Sequence, residues 1–195
     1  PACIYQGLNK LEPGTILRLG GGGEPVIRQF WSLREIAANG SKEPIALSDQ
    51  EAADQLASLL ADAVGGRMLA DVPLGAFLSG GIDSSLVAAL MQDQSERPVK
   101  TFTIGFEEAR FNEATYAKAV AKHLGTEHHE LYLSSRDAMD IVPELPTMFD
   151  EPFADSSQIP TYLVSRMTRD HVTVSLSGDG GDELMAGYTR YQLAD

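Results

Sequence analysis

The sequence predicts an α/β fold: a doubly wound parallel sheet with helices on both faces and a short β-hairpin appended at the N-terminus. Three observations carry this. Apolar runs of strand length alternate with segments of helical period along most of the chain. Two of those runs end in a glycine-rich turn that leads straight into a helix, at 79–83 and 177–182. Two further strand-like runs stand apart near the N-terminus, joined by the four glycines at 20–23. Ligands in open sheets of this kind sit beyond the carboxyl ends of the strands, where the strand order reverses. Both glycine-rich turns are therefore expected to face one crevice.

In chain order, 15–19 and 25–31 are the hairpin strands, with Leu8, Leu11, Ile16 and Leu17 expected to pack the hairpin's face. Residues 32–47 read as an irregular linker with a turn at Asn39-Gly40-Ser41. Ser48 or Asp49 caps a helix over 50–64, since Ser48 and Glu51 have capping-box spacing. Leu56, Leu59, Leu60 and Ala63 form its apolar face, and Gly65-Gly66 ends it. The stretch 73–78 is a buried strand, followed by a helix over 84–91 with Asp83 as its N-cap. A second strand covers 99–106. A helix covers 112–124, by the spacing of Ala117, Val120, Ala121 and Leu124, and Gly125 closes it. A third strand covers 127–133, and Ser134 opens a helix over 136–142. Residues 143–157 read as a loop. A helix covers 159–169 with Pro160 in its first turn, and a fourth strand covers 171–176. The implied organisation is an N-terminal piece at 1–31, a linker at 32–48 and a main domain from 49 to 195.

The chemistry concentrates in the two glycine-rich turns. In Ser79-Gly80-Gly81-Ile82-Asp83-Ser84-Ser85, strand, turn and helix start follow one another. Unpaired N–H groups and the dipole at a helix start favour an anion, and glycines let backbone approach a phosphate closely. The serine hydroxyls can add donors. A carboxylate beside bound phosphates makes sense when a cation neutralises it, so Asp83 reads as a magnesium ligand. No Gly-Lys-Ser/Thr follows, so this is not a Walker loop. An ordinary βα turn, where Gly and Ser are common, is the competing explanation. In the second turn Ser177-Gly178-Asp179-Gly180-Gly181-Asp182-Glu183 sets three carboxylates among three glycines. Asp182 from this turn would complete the Mg²⁺ site with Asp83. By itself the second turn reads equally well as an acidic surface turn. The pairing of the two turns at strand ends favours a site.

Composition bounds the rest. The chain has 195 residues, 43% hydrophobic and 22% charged, as expected of a globular domain, and a net charge of −13. That charge argues against nonspecific binding to nucleic acid or to acidic membranes. It leaves ATP open, because local donors and Mg²⁺ hold phosphates whatever the global charge. Cys3 stands alone, so there is no disulfide framework. No apolar run approaches the ~20 residues of a membrane span. With no signal-like N-terminus, the default expectation is a cytoplasmic setting. The chain starts at Pro1 without Met and reads as an excised piece.

SGGIDSS resembles the pyrophosphate loop of the ATP-pyrophosphatase superfamily. Taken with TFTIGF, FNEATYAKAVAKHLGTEHHEL, FDEPFADSS and LSGDGGDELMAGYTRY in that order, it resembles asparagine synthetase of the glutamine-hydrolysing type, over about 49–191. The resemblance implies a Rossmann-like domain of the adenine-nucleotide alpha hydrolase kind. It implies an ATP-dependent ligase in which the aspartate β-carboxylate attacks the α-phosphate of ATP, giving β-aspartyl-AMP and pyrophosphate. Ammonia from glutamine then displaces AMP. On that basis Ser79, Gly80, Gly81, Ser84 and Ser85 would hold pyrophosphate oxygens. Asp83 and Asp182 would hold Mg²⁺, with Glu183 beside them as a further catalytic candidate. Leu78, Ile104, Ser177 and Gly178 match the adenosine-binding positions. Asp150, Glu151, Asp155 and Asp179 are weaker candidates for the amino-acid substrate, since any one of them also reads as a solvated acid.

The same resemblance makes 1–31 the end of a glutaminase domain, the expected partner within a longer chain, and a homodimer is among the assemblies it allows. Cys3 precedes the hairpin strands, so it is not the glutaminase nucleophile and reads as a packed thiol. The resemblance further implies a C-terminal helical part with a lysine that steadies the intermediate. Lys100, Lys118 and Lys122 do not substitute for it, so this chain alone is expected to be inactive. His128 and His129, adjacent on a strand, face opposite ways and do not read as a metal pair. Three alternatives stand beside this reading. A β-lactam-forming synthetase or a peptide-cyclising relative would adenylate another carboxylate. A sensor or scaffold domain would bind ATP without turnover. A plain βαβ module would bind nothing.

Overall fold

The structure, a computed structural model, describes residues 2–106, 112–152 and 155–192. Phe111, Phe153 and Ala154 of the motif blocks, and residues 193–195, lie outside that set. The chain divides into two compact units: Pro1–Ala53 with Phe149–Pro152, and Asp54–Met148 with Phe153–Asp195.

In the first unit, strands β1 (Thr15–Arg18) and β2 (Val26–Gln29) pair antiparallel, from Thr15 opposite Gln29 to Arg18 opposite Val26. This is the expected hairpin. Gly14, at φ +69°, offers its carbonyl to the N–H groups of Phe30 and Trp31 at 2.8 and 3.2 Å. A Cβ at Gly14 would overlap the Trp31 carbonyl, so the turn needs glycine there. Residues expected to be linker instead form helix α1 (Leu33–Lys42). Ser32 caps it by accepting from the Glu35 N–H at 3.3 Å, a local signal that outweighs Asn39-Gly40-Ser41. The expected packing of Leu8, Leu11, Ile16 and Leu17 does not occur: all four stay exposed, and no described residue of this unit is buried. Two strands and one helix offer too little area to enclose a core. Cys3 is only half-buried.

Helix α2 (Asp49–Met68) starts in the first unit and runs into the second. Its capping box is present: the Ser48 N–H donates to Glu51 Oε2 at 2.8 Å, and the Glu51 N–H donates to Ser48 Oγ at 3.4 Å. The helix continues through Gly65-Gly66 where the sequence reading stops it. At Gly65 a Cβ would overlap the Gln94 side-chain amide, whose nitrogen donates to the Ala61 carbonyl at 3.1 Å. Tertiary contact there offsets the helix-breaking tendency of glycine. The packed stripe is Leu60, Val64 and Met68, whereas Leu56, Leu59 and Ala63 face solvent.

The second unit alternates strand and helix as expected. Its elements are β3 (Leu74–Phe77), α3 (Ile82–Asp93), β4 (Lys100–Phe106), α4 (Ala114–Leu124), β5 (Glu127–Leu133) and α5 (Ser135–Ile141). A 3₁₀ turn, Val142–Glu144, and α6 (Leu145–Met148) occupy the start of the expected 143–157 loop, with Pro143 in the first turn. Then come α7 (Gln158–Thr168), β6 (Val174–Leu176), α8 (Gly181–Met185) and α9 (Thr189–Gln192). β6 is shorter than expected. The His171 and Val172 N–H groups still bond the Thr168 carbonyl behind them, and pairing begins only at Thr173.

The four strands are parallel in the order β5-β4-β3-β6. Helices cover both faces. On one, Val64, Met91 and Val99 close on Ala76, and Leu78 packs with Ala88, Ala117 and Ala121. On the other, Phe102 packs with Val164 and Val172, and Leu133 with Ile141 and Leu163. Chain order runs outward from β3 through β4 to β5, then returns to the other side of β3. The reversal therefore falls between β3 and β6.

His128 and His129 face opposite ways, as period two requires. His129 stacks on Phe102 with ring centroids 5.2 Å apart. His128 Nδ1 lies 2.9 Å from Thr101 Oγ1, and its Nε2 is buried without a hydrogen-bond partner. Lys118 pairs with Glu130 at 3.0 Å on the same side.

Two expectations follow. Phe102 is fully buried at the sheet centre. Phe102→Ala should cost about 3–5 kcal/mol in denaturant unfolding of the second unit. The His128 imidazole is pushed below its ordinary pKa of 6.5 by burial, with Glu130 opposing. The unfolded chain then binds the proton more tightly than the folded one. Stability is held above pH 6.5 and falls as pH drops toward the folded value. Wild type should lose more stability than His128→Gln between about pH 7.5 and 5.5 in urea melts.

Candidate functional site

The first turn is shaped by its own serines. Gly80, at φ +83°, has no room for a Cβ, which would come within 2.6 Å of the Ala117 nitrogen and 2.7 Å of Tyr116 Cβ. The turn thus lies directly on the first turn of α4. Ser79 Oγ accepts from the Gly81 N–H at 3.2 Å and lies 2.9 Å from Ser84 Oγ. Ser84 Oγ accepts from the Ser79 N–H at 3.1 Å and donates to the Gly81 carbonyl at 3.3 Å. The hydroxyls of Ser79 and Ser84, read from sequence as phosphate donors, are here engaged in holding the turn. Ser85 Oγ is buried and has no partner.

Helix α3 begins one residue before Asp83, so Gly81, not Asp83, is the N-cap. With the serine bonds fixing the turn, the chain becomes helical at Ile82, and Asp83 falls within the first turn. The first intrahelical bond in this turn runs from the Ser85 N–H to the Gly81 carbonyl at 3.1 Å. The N–H groups of Ile82, Asp83 and Ser84 fall outside that pattern and form the positive end of the helix.

The second turn leaves β6 and meets the same helix start. A Cβ at Gly178 would lie 2.8 Å from the Ser84 nitrogen, and one at Gly181 would overlap the Asp83 carboxylate. Gly180, at φ +93°, makes the reversal into α8. Ser177 Oγ donates to Asp179 Oδ2 at 3.0 Å. Asp83, Ser177, Gly178, Asp179, Gly180 and Gly181 line a pocket of about 140 Å³, floored by Leu60, Val64, Leu86, Val87 and Leu90 of α2 and α3.

Leu78, Ser79 and Ile104 line a separate cavity of about 510 Å³. Phe77, Phe102, Thr103 and Phe106 extend it along β3 and β4. Ser156, Ser157, Pro160, Thr161 and Val164 close it from the start of α7, and Glu113 lies at the start of α4. The sequence reading named only Leu78 and Ile104 as walls. The alternation in Phe102-Thr103-Ile104-Gly105-Phe106 is the signal that could have found the two phenylalanines. The α7 contribution carries no comparable local pattern.

The remaining candidates are held elsewhere. Asp182 Oδ1 lies against Gly187, and Tyr188 Oη donates to Glu183 Oε1 at 2.5 Å. That hydrogen bond holds the Glu183 carboxyl below its usual range and raises the Tyr188 phenol. Asp155 accepts from the Ser157 N–H and hydroxyl at 2.8 and 2.7 Å, which lowers its carboxyl pKa. Asp150 and Glu151 belong to the first unit. There the Tyr5 hydroxyl donates to the Asp150 carbonyl at 3.0 Å, and Glu151 accepts from the Ile4 N–H at 3.1 Å and pairs with Lys10. Glu151 is thus a cross-link within that unit. The Lys10 and Ile4 hydrogen bonds lower its carboxyl pKa.

Among the described residues no group of three or more His, Cys, Asp or Glu is arranged to take a metal ion. Mg²⁺ commonly binds through one or two carboxylates together with substrate phosphates and water, without an all-protein cage. The all-oxygen donor set of Asp83 and Asp182 fits that manner of binding.

The asparagine synthase family model matches residues 55–195. A protein of Methanocaldococcus jannaschii, provisionally named asparagine synthetase 2 (glutamine-hydrolyzing), is 49% identical over 131 residues, 67% of this chain and 25% of its own length. A provisionally named asparagine synthetase (glutamine-hydrolyzing) of Mycobacterium bovis is 38% identical over 193 residues, 98% of this chain and 29% of its own. Asparagine synthetase 1 (glutamine-hydrolyzing) of Bacillus subtilis is 33% identical over 192 residues, again 98% and 29%. The chain therefore spans between a quarter and three tenths of the length of these relatives. The family model takes in both glycine-rich turns, the cavity between β4 and α7 and the strands that carry them, and by that match the chain belongs to the asparagine synthase family.

Proposed function

We propose that this chain carries the ATP-binding core of an ATP-dependent amide-forming ligase that converts aspartate to asparagine. The observation that carries the reading is the contact of the two turns. They leave adjacent parallel strands, β3 and β6, and meet over the first turn of α3, with no space for a side chain at Gly178. A sheet whose order reverses at that point, with a helix N-terminus facing the crevice, suits a nucleotide phosphate.

In this reading the adenine enters the larger cavity, between Leu78 and Ile104, with Phe102 and Phe106 as further apolar wall. The phosphates lie along 79–85, on the free N–H groups of Ile82, Asp83 and Ser84. Ser79 and Ser84 then act mainly by holding the turn in shape. Asp83 and Asp182 would hold Mg²⁺, which supplies neutralisation of phosphate charge. Glu183, tied to Tyr188, serves as an anchor for 181–188. Asp179, on the rim of the smaller pocket, and Asp155, beside the larger one, are the candidates for the amino-acid substrate.

The reaction is acyl activation followed by amide formation. An oxygen of the aspartate β-carboxylate attacks the α-phosphorus, and the bond from that phosphorus to the β-phosphate bridging oxygen breaks. Pyrophosphate leaves and β-aspartyl-AMP remains. The ammonia nitrogen then adds to the acyl carbon, gives up a proton, and expels AMP with the former carboxylate oxygen. Such transfer needs positioning and charge stabilisation more than covalent help from the protein. Ammonia is supplied by glutamine hydrolysis in a glutaminase domain of the longer protein, whose last strands are β1 and β2. A cytoplasmic setting suits this chemistry.

With the complete protein, aspartate labelled with oxygen-18 in its β-carboxylate should yield AMP carrying the label. Asp83→Ala should lower aspartate-dependent exchange of pyrophosphate into ATP by about 100-fold or more, the scale of losing one charge-stabilising group. Unlabelled AMP, or exchange driven by another carboxylic acid and not by aspartate, would refute the proposal.

A further inference from the structure

Both proposed magnesium carboxylates lie against a glycine that has no room for a methyl group. A Cβ at Gly181 would overlap Asp83 Oδ2 and stand 2.5 Å from its Cγ. A Cβ at Gly187 would overlap Asp182 Oδ1 and stand 3.0 Å from its Cγ. The first contact joins the two turns, from β6 back to the start of α3. The second lies within one turn, where the chain folds back on Asp182. The N–H groups of Ala186 and Gly187 both donate to the Asp182 carbonyl, and Ala186 takes φ +56° to do so. Among the described residues Ala186 is the one non-glycine residue with positive φ. Its left-handed conformation is held against a steric cost and brings Gly187 onto the carboxylate.

Neither glycine is needed for its backbone conformation. Gly181 and Gly187 are absent from the residues with positive φ, and Gly181 is the first residue of α8. Alanine at a helix start favours the helix over glycine. On backbone grounds alone Gly181→Ala should leave the fold as stable as before or more so. What a methyl group would displace at either position is the carboxylate.

We infer that Gly181 and Gly187 are positioning residues, each serving as a wall that sets the rotamer of one metal-binding carboxylate, Asp83 and Asp182 respectively. The inference rests on the proposed role of those two aspartates. It separates them from Asp179 and Glu183 of the same acidic turn, whose carboxylates are held instead by hydrogen bonds from Ser177 and Tyr188. Carboxylates that must turn toward phosphate-bound Mg²⁺ gain from a wall that restricts rotation without occupying a lone pair. Groups that only orient a ligand typically cost about 10–100-fold in metal affinity when altered.

The test is calorimetric binding of inorganic pyrophosphate to the complete protein at increasing Mg²⁺, with thermal melting of each variant. Gly181→Ala should raise the Mg²⁺ concentration for half-saturation about 10–100-fold without lowering the melting temperature. In an Asp83→Ala background the same substitution should change half-saturation less than about twofold, since the colliding carboxylate is gone and the nearest remaining atom, Asp83 Cβ, stands 3.0 Å away. Gly187→Ala should behave likewise with and without Asp182→Ala, and this pair decides the matter if Gly181→Ala does not fold. Unchanged half-saturation in both glycine variants overturns the inference. So does a shift of equal size whether or not the carboxylate is present. If Asp83→Ala and Asp182→Ala themselves leave the Mg²⁺ dependence unaltered, the assignment of those aspartates fails, and the inference falls with it.

Discussion

The site depends on one steric constraint: the second glycine-rich turn approaches the start of α3 closely enough that neither Gly178 nor Gly181 tolerates a side chain. Parallel β3 and β6 bring the turns to neighbouring strand ends. That alone would leave them side by side. Gly178 and Gly181 let the second turn descend onto the backbone and carboxylate at the start of α3. Gly80 does the same for the first turn against α4. The crevice is therefore framed by backbone, which presents N–H groups and keeps water-sized gaps small. The serine hydroxyls hold the first turn in place and leave the helix start free to meet an anion.

This arrangement divides the candidate nucleotide site in two. The larger, apolar cavity draws on β3, β4 and α7, where the side chains are bulky. The smaller pocket sets the backbone of the second glycine-rich turn and the Asp83 and Asp179 carboxylates over an apolar floor of Leu60, Val64, Leu86, Val87 and Leu90. Leu78 and Ser79, adjacent in sequence, have different duties: the Leu78 side chain packs with Ala88, Ala117 and Ala121, and the Ser79 hydroxyl ties the turn.

Much of the second unit was legible in the sequence. Strand and helix periods there are enforced by burial on both faces, as in the Phe102-Ile104-Phe106 series and in Ala117 with Ala121. Glycine after a strand is an unambiguous mark, so both turns stood out. Less legible were features decided by contacts distant in sequence. α2 runs through Gly65-Gly66 because Gln94 packs there. The start of α3 at Ile82 follows from the bonds between Ser79 and Ser84. The α7 side of the larger cavity has no local signature at all. In the first unit α1 was missed because Asn39-Gly40-Ser41 looks like a turn, while the Ser32 cap that decides it is a single hydrogen bond. The hairpin's apolar residues were expected to pack, but so small a unit has no interior. The family resemblance offered Glu151 as a weaker substrate candidate; its pairing with Lys10 in the first unit is a contact between distant residues that no local pattern announces.

The account's central claim is that one nucleotide places its base in the larger cavity and its phosphates over the first glycine-rich turn, at the start of α3. A crystal structure of the complete protein with Mg²⁺ and a non-hydrolysable ATP analogue tests this most directly. The account predicts the adenine between Leu78 and Ile104, phosphate oxygens on the N–H groups of Ile82, Asp83 and Ser84, and a metal ion joining a phosphate oxygen to the Asp83 carboxylate. A nucleotide bound away from both turns, or phosphates with no contact to the start of α3, would contradict it.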